Sequence, residues 1–175
     1  MADNNQTEVR QDVGGYEVIT TALMELLNTF PGLRTGEAIN FSVLGENTGK
    51  AMFPASGAII QNERRDILGN VTQVCLYPFT VVYRAAGLSE SRKTAVKEWL
   101  DNLGCWLEGQ TVTINSTEYT LEEYPALTGS RKFAEIVRTT PAYLDSVNEN
   151  MSENWVIGLS AHYQNQFKRR ITNNG

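Results

Sequence analysis

The sequence predicts a single α+β domain, a mostly antiparallel sheet with two main amphipathic helices on one face, and three observations carry that expectation. Apolar residues recur with helical spacing in two segments. β-branched and aromatic residues alternate over several others. Those alternating segments follow one another mainly through turns, which favours antiparallel pairing over βαβ crossovers. A chain of 175 residues suits one domain burying roughly 70% of its unfolded surface.

Residues 1–15 are polar and end in Gly14-Gly15, and residues 164–175 are polar again, so both ends are expected to fray around a domain spanning 16–163. The first helix is predicted over 16–30, where Ile19, Ala22, Leu23, Leu26, Leu27 and Phe30 share one face and Pro31-Gly32 stop it. From Glu37 the period changes to two. Residues 38–43, 58–60 and 71–85 read as strands, with Val71, Gln73, Cys75, Tyr77, Phe79, Val81 and Tyr83 on one face of the longest. Val74, Leu76 and Val82 point the other way, which predicts cover on both faces, and Pro78 argues for a bulge or an edge position.

Ser89 offers an N-cap to a second helix whose stripe is Val96, Trp99, Leu100, Leu103, Trp106 and Leu107, ending near Gly109. Its tryptophans are expected to form the main contact with the sheet. A short hairpin turning at Asn115-Ser116 comes next, then a strand at 133–137, a break at Pro141 and Asn148-Glu149-Asn150, and a closing strand of about ten residues over 155–164. Leu44–Gly69, which carries apolar residues between glycines, reads as a projecting β-arm or loop. Met52, Phe53, Ile59, Ile60, Arg64 and Arg65 are its candidate subunit-interface residues, an apolar group with a charged rim.

Twenty acidic and fifteen basic residues leave a formal charge of −5, and neither half is basic. The small basic groups Arg64-Arg65, Arg131-Lys132 and Lys168-Arg169-Arg170 read as solvated edges, not a nucleic-acid surface. The opening residues resemble no secretory signal and no apolar run is long enough to span a membrane, so the chain is expected in a cytoplasm, with Cys75 and Cys105 reduced and buried.

The chemistry argues by subtraction. His162 is the one imidazole, and neither cysteine beside it has surroundings that would favour a thiolate. Two distant cysteines and one histidine make no zinc set. Gly49-Lys50 follows a strand as in a phosphate loop, but the spacing is one residue short, Ala51 stands where a hydroxyl would hold Mg²⁺, and no helix follows. That segment reads as a turn. Glu122-Glu123 and Asp145 read as solvated carboxylates, and the aromatic residues as core rather than a base-stacking platform. No catalytic, cofactor-binding or metal-binding residue is predicted, nor a small-molecule substrate.

Tyr16–Pro31, Tyr77–Leu107 and Trp155–Phe167, in this order, resemble the tail terminator proteins of long-tailed bacteriophages, in particular the group from phages of Gram-positive hosts often labelled minor capsid proteins. The resemblance covers most of the chain from Tyr16 onward and rests on pattern, so it transfers no individual functional residue. It implies a homo-oligomeric ring, generally a hexamer, in the virion at the junction of head and tail. The ring caps the tail tube, stops its polymerisation, presents the surface to which head-neck connector proteins join, and lets DNA pass unread. Other readings stay open: another neck or tail-tube protein, a peptide-binding adaptor, or a small hydrolase.

Overall fold

The computed structural model describes residues 9–87 and 89–169. It is an α+β fold in the order α1 (Gly15–Leu27), β1 (Ile39–Phe41), β2 (Gly49–Pro54), β3 (Ile59–Arg65), β4 (Asn70–Ala86), α2 (Glu90–Leu107), β5 (Val112–Ile114), β6 (Thr117–Tyr119), β7 (Arg131–Arg138), β8 (Tyr143–Val147) and β9 (Ser152–Lys168). Two strands of 17 residues, β4 and β9, pair antiparallel along their whole length, from Asn70 opposite Lys168 to Ala86 opposite Ser152. At about 3.4 Å per residue each is over 50 Å long. The outer side of β4 carries β3 and β2 end to end, and the outer side of β9 carries β7 and β8 end to end. One parallel pair, β1 on β2, makes the sheet mixed. The β5–β6 hairpin forms a separate two-stranded sheet.

Because β4 and β9 pair without a register shift, side-chain parity holds from end to end. Odd-numbered Cys75, Tyr77, Phe79 and Val81 of β4 and Ile157, Leu159, Ala161 and Tyr163 of β9 share one core with the buried stripes of both helices. Tyr77, Phe79 and Tyr163 are almost wholly enclosed, and burying an aromatic or aliphatic side chain of this size stabilises by about 1.5–3 kcal/mol. The even-numbered face is mostly half-exposed at Thr72, Val74, Leu76, Pro78 and Thr80. The expected cover on both faces of β4 is therefore corrected to one.

Pro78 lies mid-strand opposite Ser160, in a central strand without a bulge. Its carbonyl accepts from the Ala55 N–H, which fixes its outward side where β2 has ended at Pro54 and β3 has not yet begun at Ile59. A residue's N–H and C=O project to the same side of a strand, so the donor proline lacks would have faced this gap. No ladder bond is lost, and the expectation of a bulge or sheet edge gives way to a gap between two short neighbours.

The ends also differ from expectation. Asp12 and Gly15 are buried, Gln11 bridges Ile59, and Ile60 N–H donates to the Arg10 carbonyl, so residues 10–12 run along the open side of β3. At the other terminus β9 continues to Lys168, five residues beyond the expected end of the domain at 163. Residues 1–8 and 170–175 of the expected flexible ends lie outside the described residues. The segment Gly49–Pro54, expected within a loop or arm, is strand β2, and Tyr143–Val147, beyond the expected break, is strand β8.

α2 begins and ends where the sequence places it, with Ser89 as N-cap and Gly109 at φ +76° just past the end. Its tryptophans divide the labour. Leu103 and Trp106 are buried, whereas Trp99 is half-buried and faces the turn after α1, donating from Nε1 to the Gly32 carbonyl at 2.8 Å. Phe30 sits against both indoles, at 5.3 Å from Trp99 and 5.4 Å from Trp106.

Candidate functional surface

His162 lies on the helix-free face, with Nδ1 3.1 Å from Glu135 Oε1, while Cys75 is buried on the opposite face. Burial pushes the Cys75 thiol up to about 11, the reverse of what a nucleophile needs. Cys105, expected to be buried, is half-buried. Among the described residues no three His, Cys, Asp or Glu side chains gather as a metal site, and no helix is long and apolar enough to cross a membrane.

The segment compared with a phosphate loop opens β2, and the expected turn at its end is corrected. Lys50 Nζ is 3.1 Å from Glu37 Oε2 and stands over the rings of Tyr83, at 4.2 Å, and Trp99, at 5.2 Å. Its side chain is only 8% exposed. Burial alone would raise the Glu37 carboxyl, but the Arg34 N–H and the Lys50 ammonium together hold it below its ordinary value. Lys50 is thereby a cationic stud under the α1–β1 turn, its ammonium held by Glu37 and the rings of Tyr83 and Trp99.

A second buried charge ties the N-terminal segment to the far side of the molecule. Asp12 accepts from Arg131 through both carboxylate oxygens, at 2.8 and 2.6 Å, from the Tyr163 hydroxyl at 2.8 Å and from the Gly15 N–H at 3.1 Å. Burial opposes its ionisation, yet these donors outweigh burial and lower the carboxyl from its ordinary value. Gly15 is required here: a Cβ would stand 2.1 Å from Asp12 Oδ2.

The predicted interface residues are dispersed by the β-register. Met52 is fully buried in the chain's own core, opposite Val81, and is withdrawn as an exposed contact. Ile60 points to the same side, packed against that core, while Phe53 and Ile59 are half-buried on the helix-free face. Arg64 is exposed, and Arg65 is paired to Glu63 at 2.8 Å. The exposed apolar residues of this region are instead Ile67 and Leu68, at the tip of the β3–β4 hairpin, 101% and 69% exposed. Sequence pattern did not single them out, although an Ile-Leu pair between Asp66 and Gly69 is itself the signal of a turn presenting apolar side chains.

The tip is built to hold its shape. Asp66 Oδ1 accepts from the N–H groups of Leu68 and Asn70, each at 2.9 Å, and Oδ2 accepts from Asn70 Nδ2 at 2.6 Å, while Gly69 supplies φ +82°. The Asn70 side chain, its N–H and the Leu68 N–H together hold the Asp66 carboxyl below its ordinary value. Arg169 N–H donates to the Gly69 carbonyl at 2.9 Å. Two basic groups separated by over a hundred residues in sequence, Arg64-Arg65 and Lys168-Arg169, thus meet around one exposed apolar tip.

Comparison with protein-family models returns no matching family, and comparison with curated proteins returns no significant match.

Proposed function

We propose that the chain is a structural, non-catalytic subunit of a phage particle: a tail terminator that closes into a ring, six copies in the reading favoured here, caps the tail-tube protein and offers the head-neck connector proteins a joining surface. The observation that carries the proposal is that the three stretches with terminator resemblance, Tyr16–Pro31, Tyr77–Leu107 and Trp155–Phe167, make up one packed unit: α1, the run of β4 into α2, and β9. A likeness spread over distant segments gains weight when those segments share a core. The central ladder of the helix-free face lends further support. From Thr72 to Val82 on β4 and from Val156 to Gln166 on β9, its residues include no Asp, Glu, Lys or Arg, and the flanking strands add the scattered charges Arg64, Lys132 and Glu135, so a lumen lined by this face would present DNA with no cluster of cations to bind phosphate.

Electron microscopy and light scattering of the purified chain, alone and with its tail-tube protein, test the reading. Closed rings of discrete mass that halt tube growth are the expected result. Open fibres would make the chain a tube protein, since a head-to-tail contact that fails to close propagates. His162→Asn should assemble like the wild type. Loss of assembly in that variant, with its melting point unchanged, would overturn the non-catalytic reading.

A further inference from the structure

We propose that the Ile67–Leu68 tip of one copy seats in the apolar groove between α1 and β7 of the next copy, an inference that rests on the ring reading and names its contact. The groove is open, 760 Å³ in volume, and floored by Leu26, Leu121, Tyr124, Leu127 and Phe133. Its charged residues are Glu25, Glu123, Lys132 and Arg131, the last consumed by Asp12. The free rim charge is thus acidic by one, facing a tip whose collar is Arg64, Arg65, Lys168 and Arg169 against Glu63 and Asp66. An apolar knob with a basic collar and an apolar groove with an acidic rim, both on one chain, make a second copy the complementary occupant.

The sheet shows why the contact is between copies. The tip lies on the β3 side of β4 and the groove on the β7 side of β9, so both long strands separate them within a subunit. Along the strands both lie toward the same end of the sheet, however: Asn70, just after the tip, is opposite Lys168, while Arg131 at the near end of the groove is opposite Asn165 and Phe133 on its floor is opposite Tyr163. Lys168 to Tyr163 is five residues, about 17 Å of a strand over 50 Å long. A head-to-tail contact of this kind closes into a ring when the rotation per copy divides a full turn.

Ile67→Glu with Leu68→Glu removes the knob at exposed positions, and Ala126→Glu fills the groove from an exposed position, so both variants should fold, as a thermal melt would check. In sedimentation velocity up to millimolar protein, each variant alone should associate more than about thirtyfold more weakly than the wild type, as for loss of a hot-spot contact. An equimolar mixture of the two should form a dimer and nothing larger, because one intact tip and one intact groove remain per pair. Leu68→Cys combined with Ala126→Cys should give cross-linked oligomers on oxidation that neither single variant gives, even where the wild type sediments as a monomer. Rings that persist in the tip variant would overturn this contact and leave the ring reading standing. Absence of the mixed dimer, absence of the cross-link, or tip-dependent capture by vesicles of anionic lipid would each overturn the contact as well.

Discussion

Asp12 fastens residues 10–12 across the molecule, and its position in the sequence gives no hint of this. Its partners Arg131 and Tyr163 lie more than a hundred residues away, and a lone acid in a polar leader reads as solvated. Asp12→Asn leaves a largely buried guanidinium without its counter-charge, and removing one partner of such a pair costs about 3 kcal/mol or more at neutral pH. The pH dependence has a definite sign. A carboxylate held below its ordinary value stabilises the fold above the unfolded pKa, about 4, and loses that contribution as pH falls through the lowered value. Glu63 adds to the same limb: hydrogen bonds from Gln73 and from Arg65 bring it down to about 2. The wild-type melting temperature is therefore expected to fall between pH 5 and pH 2, and the Asp12→Asn, Glu63→Gln double variant to fall less steeply from a lower start. Parallel curves would mean these carboxylates do not set the acid limb.

Among the elements, those with unbroken periodicity were legible and those that mix a charge into a buried strand were not. The stripe from Val96 to Leu107 placed α2, and the odd-numbered residues of β4 are the buried ones from Val71 to Val81. β2 escaped because Lys50 occupies a core-facing position, where its ammonium rests on Tyr83 and Trp99, so the strand does not alternate in hydropathy. β8 escaped because Asp145 falls at its register shift against β9 and exposed residues dominate it. The β5–β6 hairpin was legible from its turn. Asn115 and Ser116 both adopt positive φ, 50° and 65°, as a type I′ turn demands, and glycine is better suited to the second position than serine. Ser116→Gly should raise the chemical denaturation midpoint by an amount equivalent to about 0.5 kcal/mol, whereas Ser116→Val should lower it. A neutral or destabilising glycine would show that the hairpin conformation is set by Trp99 and α2 packing on Ile114 rather than by its own turn.

At the scale of the whole molecule, the interface candidates show what a sequence can and cannot supply. It pointed to the segment 44–69 as apolar chain with a charged rim, but which of its side chains face outward depends on register with β4, and that pairing turned Met52 inward and left Ile67 and Leu68 at the tip. The convergence of Arg64-Arg65 with Lys168-Arg169 is likewise a product of β4 pairing with β9 along its full length. The same long ladder allows hydrogen exchange to separate folding from assembly. Both helices cover the odd-numbered face at the centre of the sheet, so amides near 75–83 and 155–163 should open only with global unfolding and exchange slowest. The ends at 62–72 and 164–169 lie where the core gives way to the polar residues Gln73 and Asn165, and should exchange faster in the monomer. Assembly through the tip should slow exchange at these ends and at 121–133, leaving the central ladder unchanged. If oligomers form while both regions exchange at the monomer rate, the subunits meet elsewhere, and the outer edge of β8 becomes the surface to test next.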